Sequence, residues 1–257
     1  MAKVLGLKQL KQKRYTFIEG LPEEFVLSFG KLVDNLTMTV WGVSGNGKSN
    51  FMKQFLQVIM LCNVGKVCYV SLEEGHEASM QMMIEDLPDE FNGKIEFADH
   101  TMTYDELFKK LEKKKSPKVI VIDSLQYWGI TYEQYKKFKE RFRKKMLIFV
   151  SHANGKEPDG KLASRIRYDS GVKVYIEGYI AFVISRYRNV RNYVIWEEGA
   201  RGYWGKDFEK KLSKIQTKDK AKAVKRKRTT DKSPAPPMAP LIATTEINGT
   251  HTPQLVA

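Results

Sequence analysis

The chain has 257 residues, of which 42% are hydrophobic and 29% are charged, close to the average for globular proteins. This composition excludes a chain that is disordered throughout, and the length fits one medium-sized domain with room for a tail. No stretch approaches 18 consecutive apolar residues, and the N-terminal residues are basic without the apolar block of a secretory signal. We therefore expect a cytoplasmic protein with no membrane partner.

The formal net charge of +14 is unevenly distributed along the chain. Residues 206–232 carry 12 Lys and Arg against four Asp and Glu, so this short stretch supplies more than half of the surplus. A solvated tail explains such a run without any partner, whereas attraction to a phosphate backbone is the functional interpretation. Both interpretations stay open from the sequence.

Strand and helix patterns alternate along the chain after a lead-in of residues 1–35. Short apolar runs rich in β-formers predict strands, and the stretches between them have helical periodicity. The predicted strands are 38–41, 67–72, 95–98, 119–122 and 146–150, and the predicted helices are 50–62, 76–87, 104–114 and 132–142. The capping sequence Thr103-Tyr104-Asp105-Glu106 opens the third of these helices. This alternation predicts an α/β fold with a mainly parallel central sheet that helices cover on both faces.

The pattern changes after residue 151, where a polar loop leads into the strand-rich stretch 172–196. We expect this stretch to extend the sheet with antiparallel strands. Hydrophobic periodicity is lost from residue 208 onward, and residues 233–240 are rich in Pro and Ala. The predicted organisation is therefore a core of residues 36–207 followed by a disordered basic tail of residues 208–257.

A phosphate-binding motif follows the first predicted strand and opens the first predicted helix. Glycines in such a motif let successive backbone N–H groups point at phosphate oxygens, and the helix N-terminus adds its positive dipole. The lysine reaches the β and γ phosphates, and the serine hydroxyl binds Mg²⁺. The motif predicts that the chain is a P-loop NTPase that binds ATP and Mg²⁺ through Gly42, Val43, Ser44, Gly45, Asn46, Gly47, Lys48, Ser49 and the adjacent Asn50.

A second nucleotide-site element is predicted where the strand 119–122 ends in Asp123. Four apolar residues that end in a carboxylate have the form of a Walker B strand, whose aspartate holds Mg²⁺ through water. By itself the pattern fits an ordinary strand followed by a helix-capping aspartate better than it fits a metal site. The nearby phosphate motif favours the metal role, with Ser49 as the other protein ligand.

A glutamate, Glu73, ends the strand that follows the P-loop helix. Because strand ends face the ligand crevice of a parallel sheet, its carboxylate is placed to act as general base for an attacking water. Asp123 is followed by Ser124, so the chain lacks an Asp-Glu pair in which the base adjoins the metal ligand. Glu74 is the rival base, and both glutamates fit equally the start of a helix.

These motifs together resemble the RecA-like ATPase core, in particular the DnaB-type hexameric helicases and the related RadA and KaiC cores. The tripeptide Ser71-Leu72-Glu73 resembles the DnaB-type Ser-Leu-Glu, whose glutamate is the catalytic base. The strand at 147–150 ends in Ser151-His152, where that family places a polar sensor of the γ-phosphate, usually Gln. The resemblance extends over roughly residues 36–200 and implies a RecA-like P-loop NTPase fold.

Two further segments carry the resemblance. Residues 164–167 with Ser170-Gly171 resemble the loop that lines the DNA channel, and residues 185–189 resemble a Lys-x-Arg-Asn element in which one cation reaches the neighbouring subunit's nucleotide. The resemblance therefore implies catalytic roles for Lys48, Glu73, Asp123, His152, Arg186 and Arg188, and DNA contacts from Lys156, Lys161, Arg165 and Arg167. It also implies a homo-oligomer, either a ring or a filament.

Structural explanations compete with each of these roles. His152 fits a histidine that is satisfied at a strand end, and Arg186 and Arg188, two apart on an expected strand, fit a solvated face. The cations of residues 156–167 fit an exposed flexible loop, although the adjacent Tyr168 offers the aromatic ring that single-strand binding requires. The chain also departs from the family at His152, which replaces Gln, at Arg186, which replaces Lys, and at Val190, which replaces Gly.

The sequence thus predicts an ATP-hydrolysing motor or remodelling enzyme that acts on single-stranded DNA in replication or recombination. No DnaB-like N-terminal domain is recognisable, and such a bare core resembles ATPases of phages and mobile elements. One alternative is a KaiC-like regulatory NTPase that acts on a protein partner. Another is a recombination mediator or loader that uses the same site without translocation.

Overall fold

The structure is a computed structural model that describes residues 4–213 of the chain. From residue 214 onward, the predicted basic tail lies outside the described residues. Within residues 4–213, no helix is both long enough and apolar enough to span a bilayer.

A nine-stranded sheet forms the centre of the fold. In spatial order the main path runs β3-β2-β4-β5-β1-β7-β8-β9, and the short β6 pairs with the end of β5. All pairs from β3 to β7 are parallel, whereas β8 and β9 add antiparallel strands at one side. The strands are β1 (Thr37–Gly42), β2 (Val67–Ser71), β3 (Ile95–Ala98), β4 (Val119–Asp123), β5 (Met146–Asn154), β6 (Glu157–Pro158), β7 (Val172–Glu177), β8 (Ile180–Ser185) and β9 (Tyr193–Val194).

Ten α-helices and two short 3₁₀ turns, at Asp89–Phe91 and Gly205–Asp207, connect or flank these strands in the described part of the chain. The predicted capping sequence at Thr103 forms as a reciprocal capping box with Glu106. The helices are α1 (Leu7–Lys11), α2 (Glu23–Phe29), α3 (Lys48–Leu61), α4 (Ala78–Ile84), α5 (Tyr104–Glu112), α6 (Leu125–Trp128), α7 (Tyr132–Arg141), α8 (Lys161–Asp169), α9 (Glu197–Trp204) and α10 (Phe208–Leu212).

Two hydrophobic cores lie on opposite faces of the sheet because side chains alternate along each strand. In β4, Val119 and Val121 face the core that α2 and α3 cover, while Ile120 and Ile122 face the core that α5, α7 and α8 cover. This two-sided burial explains why the central strands are continuous apolar runs. The predicted α/β architecture, with its parallel sheet and antiparallel extension, is confirmed.

Both predicted boundaries of the core lie inside packed structure. In the lead-in, Phe25 and Phe29 of α2 are buried and their rings contact Phe55 and Tyr193. At the other end Phe208, the first residue of the predicted tail, is 2% exposed and begins α10. The described fold therefore continues past residue 207 and includes much of the lead-in.

Two expected local structures were wrong. The segment 156–167 is not a flexible loop, since it forms β6, a turn and the amphipathic helix α8, whose Ala163 and Ile166 are buried. Arg186 and Arg188 do not lie on a strand, because β8 ends at Ser185. They lie in a turn in which Asn189 accepts a hydrogen bond from the Ser185 N–H and donates one to the Val183 carbonyl.

Candidate nucleotide-binding site

The P-loop connects β1 to α3 and folds as a compact turn. Gly45 and Gly47 have φ values of 77° and 98°, a left-handed region that favours glycine. The Lys48 ammonium donates to the Gly42 carbonyl at 2.9 Å, so the lysine curls back over the loop that precedes it. A Cβ on Gly42 would lie 2.5 Å from the Ile176 carbonyl oxygen, so the neighbouring strand excludes any larger residue there.

A cavity of about 370 Å³ opens above this loop at the carboxyl ends of the parallel strands. This volume and position fit a nucleotide, because ligands of open parallel sheets bind outside the strand ends. Several of the residues that the sequence predicts for the site meet here. The cavity is lined by Ser44, Gly45, Gly47, Lys48, Ser49, Asn50, Ser71, Glu73, Glu74, Asp123, Tyr179 and Trp196.

Asp123 is held at the cavity by a buried tyrosine that the sequence analysis missed. The Tyr69 hydroxyl donates to Oδ2 of Asp123 from the neighbouring strand β2. Burial raises the pKa of Asp123 to about 6, while the Tyr69 hydrogen bond and the Lys48 charge oppose that rise. Burial also lowers the pKa of Lys48, against the attraction of Asp123. The carboxyl thus lies in a site that disfavours its charge until a cation is bound.

The donor set fits Mg²⁺. Within the described residues, no cluster of three or more His, Cys, Asp or Glu side chains could hold a metal by itself. Mg²⁺ commonly binds through one or two protein oxygens and completes its coordination with phosphate oxygens and water. Ser49 and the buried Asp123 line the same cavity and would be its protein ligands.

Glu73 and His152 are in direct contact. His152 Nε2 lies 2.8 Å from Oε2 of Glu73, and both side chains are about one-third exposed. His152 is also the register partner of Gly42, at the start of the P-loop. The two residues predicted as base and sensor are therefore adjacent, beside the loop that would hold the phosphates.

Glu74 has a different partner, which separates the two rival glutamates. Its carboxylate accepts a hydrogen bond of 2.8 Å from the Ser79 hydroxyl in the first turn of α4. A contact of this kind is expected of a glutamate at the start of a helix, which is the structural alternative for both Glu73 and Glu74. The geometry therefore favours Glu73 over Glu74 as the group available to a water molecule.

Gln126 ties the end of β5 to the segment that follows it, a connection that the sequence analysis missed. Its amide oxygen accepts from the His152 backbone N–H at 3.3 Å. Its amide nitrogen donates to the Ser151 hydroxyl at 2.9 Å and to the Asp159 carbonyl at 3.0 Å. One side chain therefore connects the sensor position to the turn that leads into α8.

Two aromatic side chains form another wall of the cavity. The Tyr179 and Trp196 rings meet edge to face with centroids 5.0 Å apart, and Trp196 is 48% exposed. Asn46 of the P-loop accepts a 2.7 Å hydrogen bond from the Gly178 N–H through its side chain. An exposed ring beside a phosphate loop is suited to stack on a nucleotide base.

The structure does not bring Arg186 and Arg188 to this cavity. Arg186 follows the end of β8 and donates its backbone N–H to the Gly171 carbonyl, next to the start of β1. The P-loop lies at the other end of β1, five residues from Thr37, which is roughly 17 Å along the strand. Both arginines are exposed, so they can reach a nucleotide only outside their own chain's site.

The four cations predicted to contact DNA divide into two groups. Lys156, Lys161 and Arg165 are exposed, and Arg165 lies over the Tyr132 ring. Arg167 is instead engaged within the fold, because it pairs with Glu157 at 2.5 Å and its guanidinium lies over the Trp41 ring. The geometry thus leaves three of the four predicted side chains accessible to a polymer.

Two signals in the sequence could have indicated the missed residues. Tyr69 is a polar residue in the middle of an apolar strand, and a buried tyrosine hydroxyl needs a partner on the next strand. Gln126 follows the strand of Asp123 by three residues, at the same edge of the sheet as the P-loop. For Tyr179 and Trp196 no local signal exists, because Tyr179 reaches the cavity from the β7–β8 turn and Trp196 from the segment that follows β9.

The solved structures that match this chain include two proteins with the same fold. FlaH, a flagellar accessory protein from Methanocaldococcus jannaschii, is 15% identical, with 70% of this chain and 96% of that chain covered and a TM-score of 0.51. A KaiC-like protein from Pyrococcus horikoshii OT3 is 19% identical, with 67% and 88% covered and a TM-score of 0.51. No protein-family model matches the chain, and no curated protein matches it.

These similarities show the fold. The chain has the RecA-like P-loop ATPase fold, with the P-loop, Asp123 and Glu73 at the carboxyl edge of the sheet. The closer resemblance to DnaB-type and RadA cores, and an origin in a phage or mobile element, stay predictions.

Removal of the Tyr69 hydroxyl should change the pH dependence of Mg²⁺-supported nucleotide binding. Asp123 binds a cation only when ionised, so we expect binding to weaken as the pH falls below about 6. In Tyr69→Phe the Asp123 carboxylate loses a hydrogen-bond donor and its pKa rises further. The pH at the midpoint of the loss of binding should therefore rise by about one to two units. The measurement is the affinity for a fluorescent ATP analogue with Mg²⁺ across this pH range.

The matched control is Tyr135→Phe, which removes a buried hydroxyl in the core on the other face of the sheet. Its midpoint should equal that of the wild type. An unshifted midpoint in Tyr69→Phe would show that the hydroxyl does not stabilise the Asp123 carboxylate.

Proposed function

We propose that this protein is an oligomeric ATPase that couples ATP hydrolysis to movement on, or remodelling of, single-stranded DNA. The observation that supports hydrolysis is the convergence of Lys48, Asp123 and Glu73 on one cavity, with His152 in contact with Glu73. A site that only stored nucleotide would not require a carboxylate and an imidazole beside the phosphate loop.

The reaction would be an in-line attack by water on the γ-phosphorus. Glu73 accepts a proton from the water as its oxygen bonds to phosphorus, and the bond to the bridging oxygen of ADP breaks. Mg²⁺, held by Ser49 and Asp123, supplies charge stabilisation to the phosphate oxygens. The 2.8 Å contact with His152 orients the Glu73 carboxylate toward the water.

Lys48 stabilises the charge that develops during transfer. Its ammonium lies against the Gly42 carbonyl, and Asp123 and Glu73 both favour its protonated form. The ammonium is therefore positioned before the phosphates arrive, so little reorganisation is needed in the transition state. The Tyr179 and Trp196 rings complete the proposed site by stacking on the base.

Assembly would supply the remaining cation. Within the described residues, Lys48 is the one Lys or Arg that lines the nucleotide cavity. Arg186 and Arg188 project from the distant end of β8, where they are suited to enter a neighbouring protomer's site. We therefore propose a ring or filament in which each nucleotide lies between two subunits.

Action on DNA is supported by the position of the accessible cations Lys156, Lys161 and Arg165. The Gln126 hydrogen bonds connect the turn before α8 to the backbone of His152. A strand bound along α8 would thus act on the group that contacts Glu73. This connection gives a physical path for DNA to alter the hydrolysis rate.

A nucleotide-controlled switch that acts on a protein partner is the second candidate. It is favoured by the two structural matches, a flagellar accessory protein and a KaiC-like protein. A loader or recombination mediator would use the same cavity. Stimulation of ATPase activity by single-stranded DNA separates the switch from the other two, and strand displacement separates the motor from the loader.

The first prediction from this proposal tests Glu73 as the general base. Glu73→Gln should bind ATP with affinity near that of the wild type but turn it over about 10²- to 10⁴-fold more slowly, because only the proton acceptor is lost. Glu74→Gln, which changes the same chemical group one residue away, should retain most activity because Glu74 contacts Ser79. Phosphate release under single-turnover conditions measures both.

Lys48→Ala provides the negative control for this experiment, since it removes the cation that spans the phosphates. Wild-type turnover in Glu73→Gln, or loss of turnover in Glu74→Gln alone, would move the role of base away from Glu73.

The second prediction concerns a site shared between subunits. Arg188→Ala protomers and Lys48→Ala protomers should each be inactive alone but regain activity when mixed. In the mixture, an intact arginine from one protomer can serve the intact P-loop of the other. The measurement is the ATPase rate at several mixing ratios, and a rate that stays at the sum of the two separate variants would contradict the shared site.

The third prediction tests DNA coupling through α8. Lys161→Gln combined with Arg165→Gln should bring the ratio of DNA-stimulated to basal ATPase rate toward one at saturating single-stranded DNA. The control, Lys8→Gln with Lys11→Gln, removes the same charge from the exposed helix α1 and should keep the wild-type ratio. If neither the wild type nor the control responds to DNA, the switch hypothesis replaces the DNA motor.

A further inference from the structure

A row of lysines lies along the amino edge of the sheet, at the ends of the strands opposite the nucleotide cavity. A lysine directly precedes each of the neighbouring strands β3, β2, β4 and β5, in the order Lys94, Lys66, Lys118 and Lys145. These strands are parallel and about 4.8 Å apart, so the sheet places the four residues side by side. The residues are dispersed in sequence, and only the strand order brings them together.

Two loops at the same edge add more cations. Residues 113–118 precede β4 and residues 141–145 precede β5, and each segment contains four Lys or Arg and no Asp or Glu. We call Lys66, Lys94 and these two segments the basic edge. A groove of about 690 Å³ lies beside residues 141–145, lined in part by Lys137, Arg141, Arg143 and Lys144 and also by the carboxylates of Glu112 and Glu140.

Hydrogen bonds fix the two loops against each other. The Lys118 ammonium donates to the Lys144 carbonyl at 2.6 Å, and the Lys145 ammonium donates to the Pro117 carbonyl at 2.5 Å. Asn35 also donates to the Arg143 carbonyl at 3.0 Å. The cations that project from these loops are therefore held in place by the folded structure.

The charge of the basic edge is only partly neutralised by the protein itself. Lys118 pairs with Asp34 at 2.8 Å and Arg141 pairs with Glu112 at 3.0 Å. Among the described carboxylates none forms an ion pair with Lys113, Lys114 or Lys115, which are exposed. Burial and the nearby Lys118 charge lower the pKa of Lys145. The protonated ammonium of Lys145 is therefore disfavoured in the free protein, and a bound anion would stabilise it.

The chemistry of this surface favours a polymer of phosphates over a membrane. A membrane-surface site combines cations with apolar side chains that insert among lipids. The large apolar residues beside these loops, Leu111 and Phe142, are buried. The two loops also lack an exposed aromatic ring on which a base could stack, so contacts to a nucleic acid would be to its backbone.

We propose that the basic edge binds the phosphate backbone of nucleic acid, independently of base sequence, as a second contact surface distinct from α8. The choice of nucleic acid as the polymer depends on the proposed action on DNA. The evidence for a cationic surface depends only on the contacts described above. Because the basic edge and the nucleotide cavity lie at opposite ends of the strands, the basic edge would set affinity and not the chemistry of hydrolysis.

The test uses Lys113→Gln, Lys114→Gln and Lys115→Gln combined in the full chain. The control combines Lys8→Gln, Lys11→Gln and Lys13→Gln, which removes the same charge from an exposed segment elsewhere. Fluorescence anisotropy with a labelled 20-nucleotide single strand, and with the matching duplex, gives affinity at several salt concentrations without ATP. Melting temperatures of both variants verify that they fold.

We expect the loop variant to bind at least tenfold more weakly than the control at low salt. The slope of log affinity against log salt should fall by about two for the single strand, because three phosphate contacts are lost. A second variant, Arg143→Gln with Lys144→Gln, should weaken binding in the same direction. Equal affinities for the loop variant and the control would overturn the proposal.

Two further measurements identify the polymer and separate this proposal from the proposed function. The competitors are vesicles containing phosphatidylserine and, separately, polyglutamate. If either displaces the labelled strand from the basic edge as effectively as unlabelled oligonucleotide of equal charge, the assignment to nucleic acid is wrong. ATP turnover by the wild type is measured separately, both with and without DNA. Absent turnover would refute the ATPase while leaving the binding result intact.

Discussion

Burial of the Asp123 carboxyl at the end of a central strand is the constraint on which the site depends. Its charge is disfavoured there, and the surrounding groups are arranged to offset that cost. Tyr69 donates to it from the neighbouring strand, and Lys48 approaches from the P-loop. Under the proposed function, the Mg²⁺ that accompanies a nucleotide would bring a cation to this carboxyl, so metal and nucleotide binding would be coupled.

Strand polarity divides the molecule into two chemically different edges. At the carboxyl ends, the backbone of the P-loop meets the carboxylates of Glu73, Glu74 and Asp123 at one cavity, and the His152 imidazole contacts Glu73 beside it. At the amino ends, lysines and arginines dominate, and their partners include backbone carbonyls as well as the carboxylates of Asp34 and Glu112. A parallel sheet allows this separation because all its strands point the same way. A polymer on the basic edge would therefore not obstruct entry of nucleotide.

Local sequence signals predicted the elements well because they rest on short-range rules. The strands around Val121 and Ile148 have apolar runs that only a two-sided parallel sheet buries, and the capping box at Thr103 formed as expected. The helix α8 was missed because its apolar residues, Ala163 and Ile166, are few and its cations suggested a loop. The roles of Tyr69 and Trp196 depend on strand order and on where the segment after β9 packs, which no local pattern encodes.

The hydrogen bonds of Asn46 have a thermodynamic consequence. This side chain joins the P-loop to the turn of the β7–β8 hairpin through the Gly178 N–H, and its backbone carbonyl accepts from the Tyr179 N–H at 3.3 Å. A glycine-rich loop normally loses much conformational entropy when it closes around phosphates. Here that entropy is lost when the chain folds, so more of the interaction energy appears as affinity for ATP.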